Sequence, residues 1–431
     1  MLVVLLAVIA SIGTQTASAA NVVVGTCTTG VHFSDITTAI ASVPAGSTIR
    51  ICPGTYAEQL TIHKNLTLTG LLAGTSDAVI LTVPSSPLPT NATSLFQNVP
   101  TAANIAILGT AGTPITVNLN NLVVDGLHNG YSCPDRHSGG TNVVGILYQY
   151  AKGTANHVTT RNQLSDTQLS GCQGGFGFSA EGPSSAPGTE NVVTLQYSSV
   201  HDYNKNGVVG TGFVTLNVLH NVVTGSGPTD MLAQNGIEYF EGAGGKIFDN
   251  QVAGDRYTGG GGIPSAASGI ILYDAADGSA STPLSSNTIS QTDLGISLNF
   301  DSGAATDNGY TIIGNNIGQS TLIGVEVCAV SNMSIMNNRI YNSGLAAVNL
   351  DTEGGNSCSS APTTGNNIHR NTLVDACAGV LGDTGDSSTD PNTDFDVVAT
   401  VLSGETCPAA GGPVALVAGP AASTQRHAAN P

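Results

Sequence analysis

Asn235-Gly236-Ile-Glu-Tyr-Phe240, followed by Asn250-Gln-Val252, returns as Ser268-Gly269-Ile-Ile-Leu-Tyr273 with Asn287-Thr-Ile289. It returns again as Leu294-Gly295-Ile-Ser-Leu-Asn299 with Asn316-Ile317. The first phrase is a glycine, a β-branched or aromatic residue, and then alternation. The second is an asparagine running into an apolar residue. Read outward in both directions, the glycine phrase also starts at Gly145, Gly177, Gly207, Gly324 and Gly379, with Ala347 filling the gap before the last. The asparagine phrase also occurs at Asn221, Asn338 and Asn371. A period of about 22 to 33 residues lies in the range of solenoids.

Alternation with period two sends alternate side chains to opposite faces of a strand. One coil of two or three short strands cannot bury its apolar set. Coils must therefore stack, about 4.8 Å apart, and share a continuous core. Glycine suits a corner that needs positive φ or has no room for a Cβ. Asparagine tolerates a left-handed corner, and stacked asparagines can bond to one another along the axis. The expected fold is all-β: a right-handed, single-stranded parallel β-helix. Its irregular period marks Gly/Ser/Pro-rich loops inserted at 181–189, 256–267 and 352–366.

The ends read differently. Residues 33–43 place apolar side chains at Ile36, Ala39, Ile40 and Val43, which predicts a short amphipathic helix capped by Ser34 or Asp35. Pro44 and Gly46 end it. A helix here would plug the open end of the solenoid, where a first coil otherwise exposes strand edges. Residues 1–20 have the apolar run and small-residue close of a signal peptide. The β-helix is expected over 21–404, and 405–431 reads as a poorly ordered tail.

Composition agrees with export and with a β-rich core. Charged residues are 9% of the chain, hydrophobic ones 40%, and glycine numbers 54. The net charge of −18 disfavours nucleic acid and anionic membrane surfaces. No stretch beyond the signal-peptide region is long and apolar enough for a membrane span. The 8 cysteines show no C-x-x-C spacing and suit disulfides in an oxidising compartment. A solenoid brings only neighbouring coils together, which favours Cys27–Cys52, Cys133–Cys172, Cys328–Cys358 and Cys377–Cys407.

Pro53-Gly-Thr-Tyr-Ala-Glu58 and Asn65-Leu-Thr-Leu-Thr-Gly70 give the start of the chain a family likeness. With the Gly-Ile-x-Leu and Asn-x-Ile repeats, it resembles the right-handed parallel β-helix repeat proteins of the pectin-lyase-like superfamily. The first coil is similar to that of pectin methylesterases and NosD-type periplasmic proteins. The resemblance covers roughly 21–400 and implies the fold. It carries no catalytic set. The signature segments of pectin methylesterases, polygalacturonases and alginate epimerases are absent. Pectate lyases need an Arg or Lys as base beside carboxylates that hold calcium, and the lysines here are only Lys64, Lys152, Lys205 and Lys246.

Counting from each repeat glycine, the second and fourth residues should face outward. The second row reads Leu147, Ser179, Val209, Glu238, Ile271, Ser297, Glu326, Asn349, Leu381. The fourth reads Gln149, Glu181, Thr211, Phe240, Tyr273, Asn299, Cys328, Asp351, Asp383. Asp351 and Asp383 fall one coil apart, and Glu326 about 8 Å from Asp351. Such spacings bracket those of glycosidase carboxylate pairs, so Glu326, Asp351 and Asp383 are the candidate acid and base or nucleophile. Tyr273 and Asn299 offer a sugar-stacking ring and an amide. Glu238, Glu241 and Arg256 form a charged patch suited to a glycan, Arg256 to a uronate.

Asp125, His128, Cys133, Asp135 and His137 lack regular metal spacing and read as a disulfide-pinned loop. Asp383, Asp386, Asp390, Asp394 and Asp396 are an acidic run for calcium, without the EF-hand pattern; no other cofactor is implied. The expectation is a secreted or periplasmic protein that acts on or binds polysaccharide or cell-surface glycan, as a hydrolase or lyase. The alternative is a non-catalytic binding or structural β-helix.

Overall fold

The computed structural model describes residues 19–74, 77–136, 140–183, 191–260, 265–275, 283–299, 310–328, 330–351, 365–382, 393–395 and 398–401. Residues 1–18, most of the stretch whose sequence reads as a signal peptide, lie outside them, as do the residues beyond 401, Cys358, Cys407 and Asp383. So does most of the acidic run expected for calcium.

The chain is a right-handed parallel β-helix with three faces. Strands on each face pair in parallel with the coil before and the coil after; the exception is Ala92–Thr93, antiparallel to Pro100–Leu108. Face one carries, in order, Asn142–Gln149, Phe176–Glu181, Asn206–Thr211, Asn235–Phe240, Ser268–Tyr273, Leu294–Asn299 and Ile323–Cys328. Face two carries Thr215–Leu219, Ile247–Phe248 and Leu284–Ser285, and face three Val222–Thr224, Gln251–Ala253 and Thr288–Ser290.

Register follows the repeat. Leu147, Ser179, Val209, Glu238, Ile271, Ser297, Glu326, Asn349 and Leu381 form one continuous row, and Gln149 to Asp351 form the other. The residues between them, such as Ile237, Tyr239, Ile270, Leu272, Ile296 and Leu298, fill the central core.

The repeat glycines are needed for close approach. Their φ values are not positive; a Cβ on Gly295 would lie 2.4 Å from the Gly324 carbonyl oxygen, and one on Gly207 2.6 Å from that of Gly236. The left-handed corner falls instead on the residue before each ladder asparagine: His220 (φ 57°), Asp249 (53°), Ser286 (58°), Gly314 (66°), Asn337 (55°) and Arg370 (55°).

The ladder itself is continuous. Asn221 donates to Asn250, Asn250 to Asn287, Asn287 to Asn315, Asn315 to Asn338 and Asn338 to Asn371, each Nδ2···Oδ1 at 3.0 Å. Each amide also donates to a main-chain carbonyl, for example Asn287 to Ile247 at 3.0 Å. The rung between Asn287 and Asn338 is Asn315, not the Asn316 that the repeat suggested. Asn316 opens the next strand with its side chain half-buried. A one-residue slip between two adjacent asparagines reverses which of them points inward.

The plug is the helix Ile36–Ser42, with Asp35 as N-cap accepting from Thr38 N and Ile36, Ala39 and Ile40 buried. The Glu58 carboxylate closes the same end, taking hydrogen bonds from Ile36 N at 2.9 Å and Thr37 N at 2.8 Å. That gives the Pro-Gly-Thr-Tyr-x-Glu turn a physical job, because first-turn amides have no partner within the helix. Cys27–Cys52 and Cys133–Cys172 are disulfides, as neighbouring-coil pairing requires. Cys328 and Cys377 are also disulfide-bonded.

Asn287→Ala removes a buried amide from mid-ladder and strands both its neighbours. Urea denaturation should register a loss of about 3 kcal/mol, the cost of leaving two or three buried polar groups unpaired. An unchanged midpoint would show that the ladder is ornamental.

Candidate functional site

The outward rows of face one are not a solvated acidic surface. Ser179, Val209, Glu238, Ser297 and Glu326 are all buried. Two segments far away in sequence cover the early coils. Residues 83–99 lie across the coils that start face one. Asn91 exchanges bonds with Ala103, Gln149 Nε2 donates to Thr93 O at 2.8 Å, and the Glu181 carboxylate accepts from Leu95 N at 2.9 Å. Beneath them Ala103, Ala106, Val144, Leu147, Phe176 and Val209 form a second apolar cluster. The cover ends where Phe96 meets Phe240 edge to face, ring centroids 5.4 Å apart.

The second segment is the loop held by Cys133–Cys172. It delivers Arg136 to Glu238, Nη1 to Oε1 at 2.9 Å, across 102 residues of sequence. The guanidinium also lies 5.2 Å from the Phe240 ring centroid. Glu238 takes further bonds from Asn206 Nδ2 at 2.7 Å and Asn235 Nδ2 at 2.9 Å. Burial works to raise the Glu238 carboxyl, but Arg136, Lys205 and the Asn235 amide outweigh it and hold it below the ordinary range. Lys205, buried beside it, donates to Ala233 O at 2.5 Å; burial brings it down to about 8 against the pull of Glu238. Asp255 is wholly buried, bonded at 2.5 Å by Tyr203 Oη, and burial holds its proton on well above the usual carboxylate range. These cations are committed within the fold.

At the edge of the cover, where Phe96 and Arg136 meet Phe240, face one carries Phe240 and Tyr273 side by side. Their rings stack at 5.4 Å with planes 27° apart, on adjacent coils, and both side chains are half-buried. The next residue of each coil is acidic, Glu241 and Asp274, both in left-handed corners at φ 51° and 46°. The main chain ties these corners together through Glu241 N to Tyr273 O at 3.0 Å and Gly242 N to Asp274 O at 2.7 Å. Burial, and then the neighbouring Asp274, push the Glu241 carboxyl up. Two carboxyl groups at one register position, one of them reluctant to ionise, are equipped to hold and move a proton.

The residues expected from sequence separate accordingly. Glu241 and Tyr273 stand together. Glu238 lies on the same strand as Phe240, two residues before it, and is sealed by Arg136; Arg256 is exposed and is not its partner, a correction to the patch read from sequence. Glu326 is buried with Ser297 Oγ 3.3 Å from its carboxylate, away from solvent. Asn299 and Asp351 are placed by register alone, opposite Cys328 on either side. Asp274 and Arg136 went unread, and Lys205 was given no place beside Glu238. Extending the outward table by one residue past Phe240 and Tyr273 would have revealed the acidic pair. Nothing local signals Arg136. Among the described residues no three His, Cys, Asp or Glu side chains cluster as metal ligands, and no helix is long and apolar enough to cross a membrane.

Fold and site define a parallel β-helix with a partly covered outer face. Solved structures of similar shape include the A-module of mannuronan C-5 epimerase AlgE4 from Azotobacter vinelandii, at 15% identity over 83% of this chain and 89% of that one, TM-score 0.51. A variant of the periplasmic alginate epimerase AlgG is similar at 14% identity over 83% and 77%, TM-score 0.47. The Dettilon tailspike protein is similar at 16% over 82% and 62%, TM-score 0.48. At such identities the likeness is one of fold. No protein-family model and no curated protein matches the chain.

Glu181 gives a pH test. Its buried carboxyl is raised above the ordinary value, so the folded state binds its proton more tightly than the unfolded chain does. Its contribution is therefore whole below the unfolded value and fades as pH rises through the folded one. Glu181→Gln keeps an acceptor for Leu95 and removes the charge. Thermal unfolding at pH 7 should move up, and the fall in stability between acid and neutral pH should flatten. A lower melting point at pH 7 would overturn this account.

Proposed function

We propose that the chain binds a neutral polysaccharide across face one, where the cover ends, on Phe240 and Tyr273 and the carboxyl groups of Glu241 and Asp274. The observation that carries this is the stacked, half-buried ring pair flanked by two acids at one register position. Aromatic rings supply apolar area for sugar faces, and carboxylates accept from sugar hydroxyls. A neutral glycan is favoured over a uronate for two reasons. The chain carries −18, and the nearby cations Arg136 and Lys205 are bonded to Glu238 and Ala233. A secreted or periplasmic setting fits the disulfides and the apolar run of residues 1–20. A known β-helix, the mannuronan epimerase module, acts on a polysaccharide by its name.

A second, hydrolytic reading is favoured by the raised carboxyl of Glu241 next to Asp274. In it Glu241 donates the proton to the leaving oxygen, and Asp274 acts as base or nucleophile. Glu326 and Asp351, further along the same face, are the competing carboxylates; Asp383 lies outside the described residues.

Affinity electrophoresis in gels containing neutral or uronate polysaccharides tests the binding. Retardation by at least one neutral polymer is expected, weakened about tenfold by Tyr273→Ala, the loss expected of one aromatic contact of about 1.4 kcal/mol. Retardation by uronates alone, or none, would discard the reading. Reducing-end release abolished by Glu241→Gln would support hydrolysis there. Release that survives this change but is lost in Glu326→Gln would move the chemistry along the face.

A further inference from the structure

Cys27–Cys52 and Cys133–Cys172 differ in what they tie together. Cys52 directly follows a paired strand of the first coil, donates its N–H to Val24 O at 2.9 Å and is 4% exposed. Cys133–Cys172 joins two loops that belong to no strand; Cys133 is exposed and Cys172 half-buried. The Cys172 loop is pinned without its disulfide. The buried Asn204 amide donates to Cys172 O at 2.8 Å and to Gly174 O at 2.9 Å, and its oxygen accepts from Ser170 N at 2.8 Å.

Residues 133–136 are held more loosely. The chain leaves an anchor at Tyr131, whose Oη donates to Leu88 O at 2.8 Å, and rejoins the sheet at Asn142. Between them Pro134 is buried and Asp135 N donates to Thr141 O at 2.9 Å. Arg136 ends this strap on Glu238, its guanidinium 5.9 Å from the Phe176 ring centroid and 5.2 Å from that of Phe240. The seat does not satisfy the side chain, for Arg136 Nε is buried with no acceptor among the described residues. An unpaired buried donor opposes seating, so a tether must supply the rest. The disulfide is that tether: by closing the loop it keeps the guanidinium concentrated at Glu238.

We propose that Cys133–Cys172 is a redox clasp that regulates the polysaccharide site. Closed, it seats Arg136 against Phe240 and narrows the ring surface. Opened by an external dithiol, it frees residues 133–136 and exposes the side of Phe240 that Arg136 covers. A thiolate of the dithiol attacks the sulfur of Cys133, the more exposed residue, and Cys172 leaves as a thiolate. The second thiol then displaces Cys133 from the mixed disulfide. The dithiol departs as a disulfide, and its two protons pass to the two cysteines. The regulation rests on the binding proposed at Phe240 and Tyr273; the movement of the strap does not.

Arginine labelling of the full chain with phenylglyoxal, followed by peptide mass spectrometry, reads the strap apart from any ligand. In the oxidised protein Arg136 should be protected, while the exposed Arg256 and Arg339 label freely. Dilute dithiothreitol should open Cys133–Cys172 before Cys27–Cys52. Arg136 should then label about thirtyfold faster, the low end of what a loop-closing disulfide typically contributes. Cys133→Ser/Cys172→Ser should free Arg136 without reductant, and the mildly reduced wild-type protein guards against a folding artefact in that variant. Both forms should be retarded by the neutral polymer about tenfold more strongly, the gain of one further aromatic contact. Arg136 protected in both forms would overturn the clasp and leave polysaccharide binding untouched. Arg136 freed with retardation unchanged would overturn the regulation. Arg136 freed while no polymer retards any form would sink the polysaccharide reading, and its regulation with it.

Discussion

Every coil of this protein must place its backbone about 4.8 Å from the next so that main-chain donors meet acceptors in register. That one spacing selects the rest. It forbids a Cβ at the repeat glycine, where the carbonyl of the following coil already stands within van der Waals reach. It also places a side-chain amide within reach of its copy, so Asn221 to Asn371 become a wire of buried bonds. Ala347 shows that the glycine rule bends near the C-terminal coils, where a methyl group is accommodated. A buried polar ladder has no such latitude, since one missing amide strands a donor above and an acceptor below.

The same spacing explains why charge is handled so carefully on face one. Outward side chains there project into a narrow row, and covering them removes water from carboxylates that repetition alone would leave exposed. Glu238 remains ionised because Arg136 and two amides surround it; Glu181 and Asp255 instead retain protons more tightly. The contrast is one of partners and not of burial, for all three are buried. A cover that seals the first coils therefore also decides where a ligand can approach. It stops at Phe96 against Phe240, and the half-buried rings and acids begin there.

Local repetition carried most of the architecture. The outward rows from Leu147 to Leu381 match the observed pairing because the glycine marks register in every coil, and register is a local property. Asn315 was missed for its neighbour because two adjacent asparagines satisfy the same pattern. The partner of Glu238 could not be read at all, since Arg136 arrives from 102 residues away through a disulfide-held loop. The segment 83–99 has no repeat of its own, so nothing in it announced that it would lie over face one and bury the carboxylates. Sequence periodicity reports on the coil; it is silent on what folds across it.

Position within the coil also governs where chemistry can sit. Strand interiors are fixed by core packing on one side and, in the early coils, by the cover on the other. The left-handed corners are different: Glu241, Asp274, Gln319, Asn342 and Asp375 all occupy them, and their side chains leave the coil without displacing a core residue. Such a conformation costs a non-glycine residue about 1 kcal/mol or more, less where a short polar side chain bonds locally. In a solenoid that cost falls on a backbone already held by hydrogen bonds to the coils on both sides. Corners are thus the places where a polar group can be exchanged at little risk to the stack, and the two acids of the candidate site, Glu241 and Asp274, stand in them. The strands beside them supply the rings, Phe240 and Tyr273, and the corners supply the acids, so one short stretch of each coil offers both kinds of group.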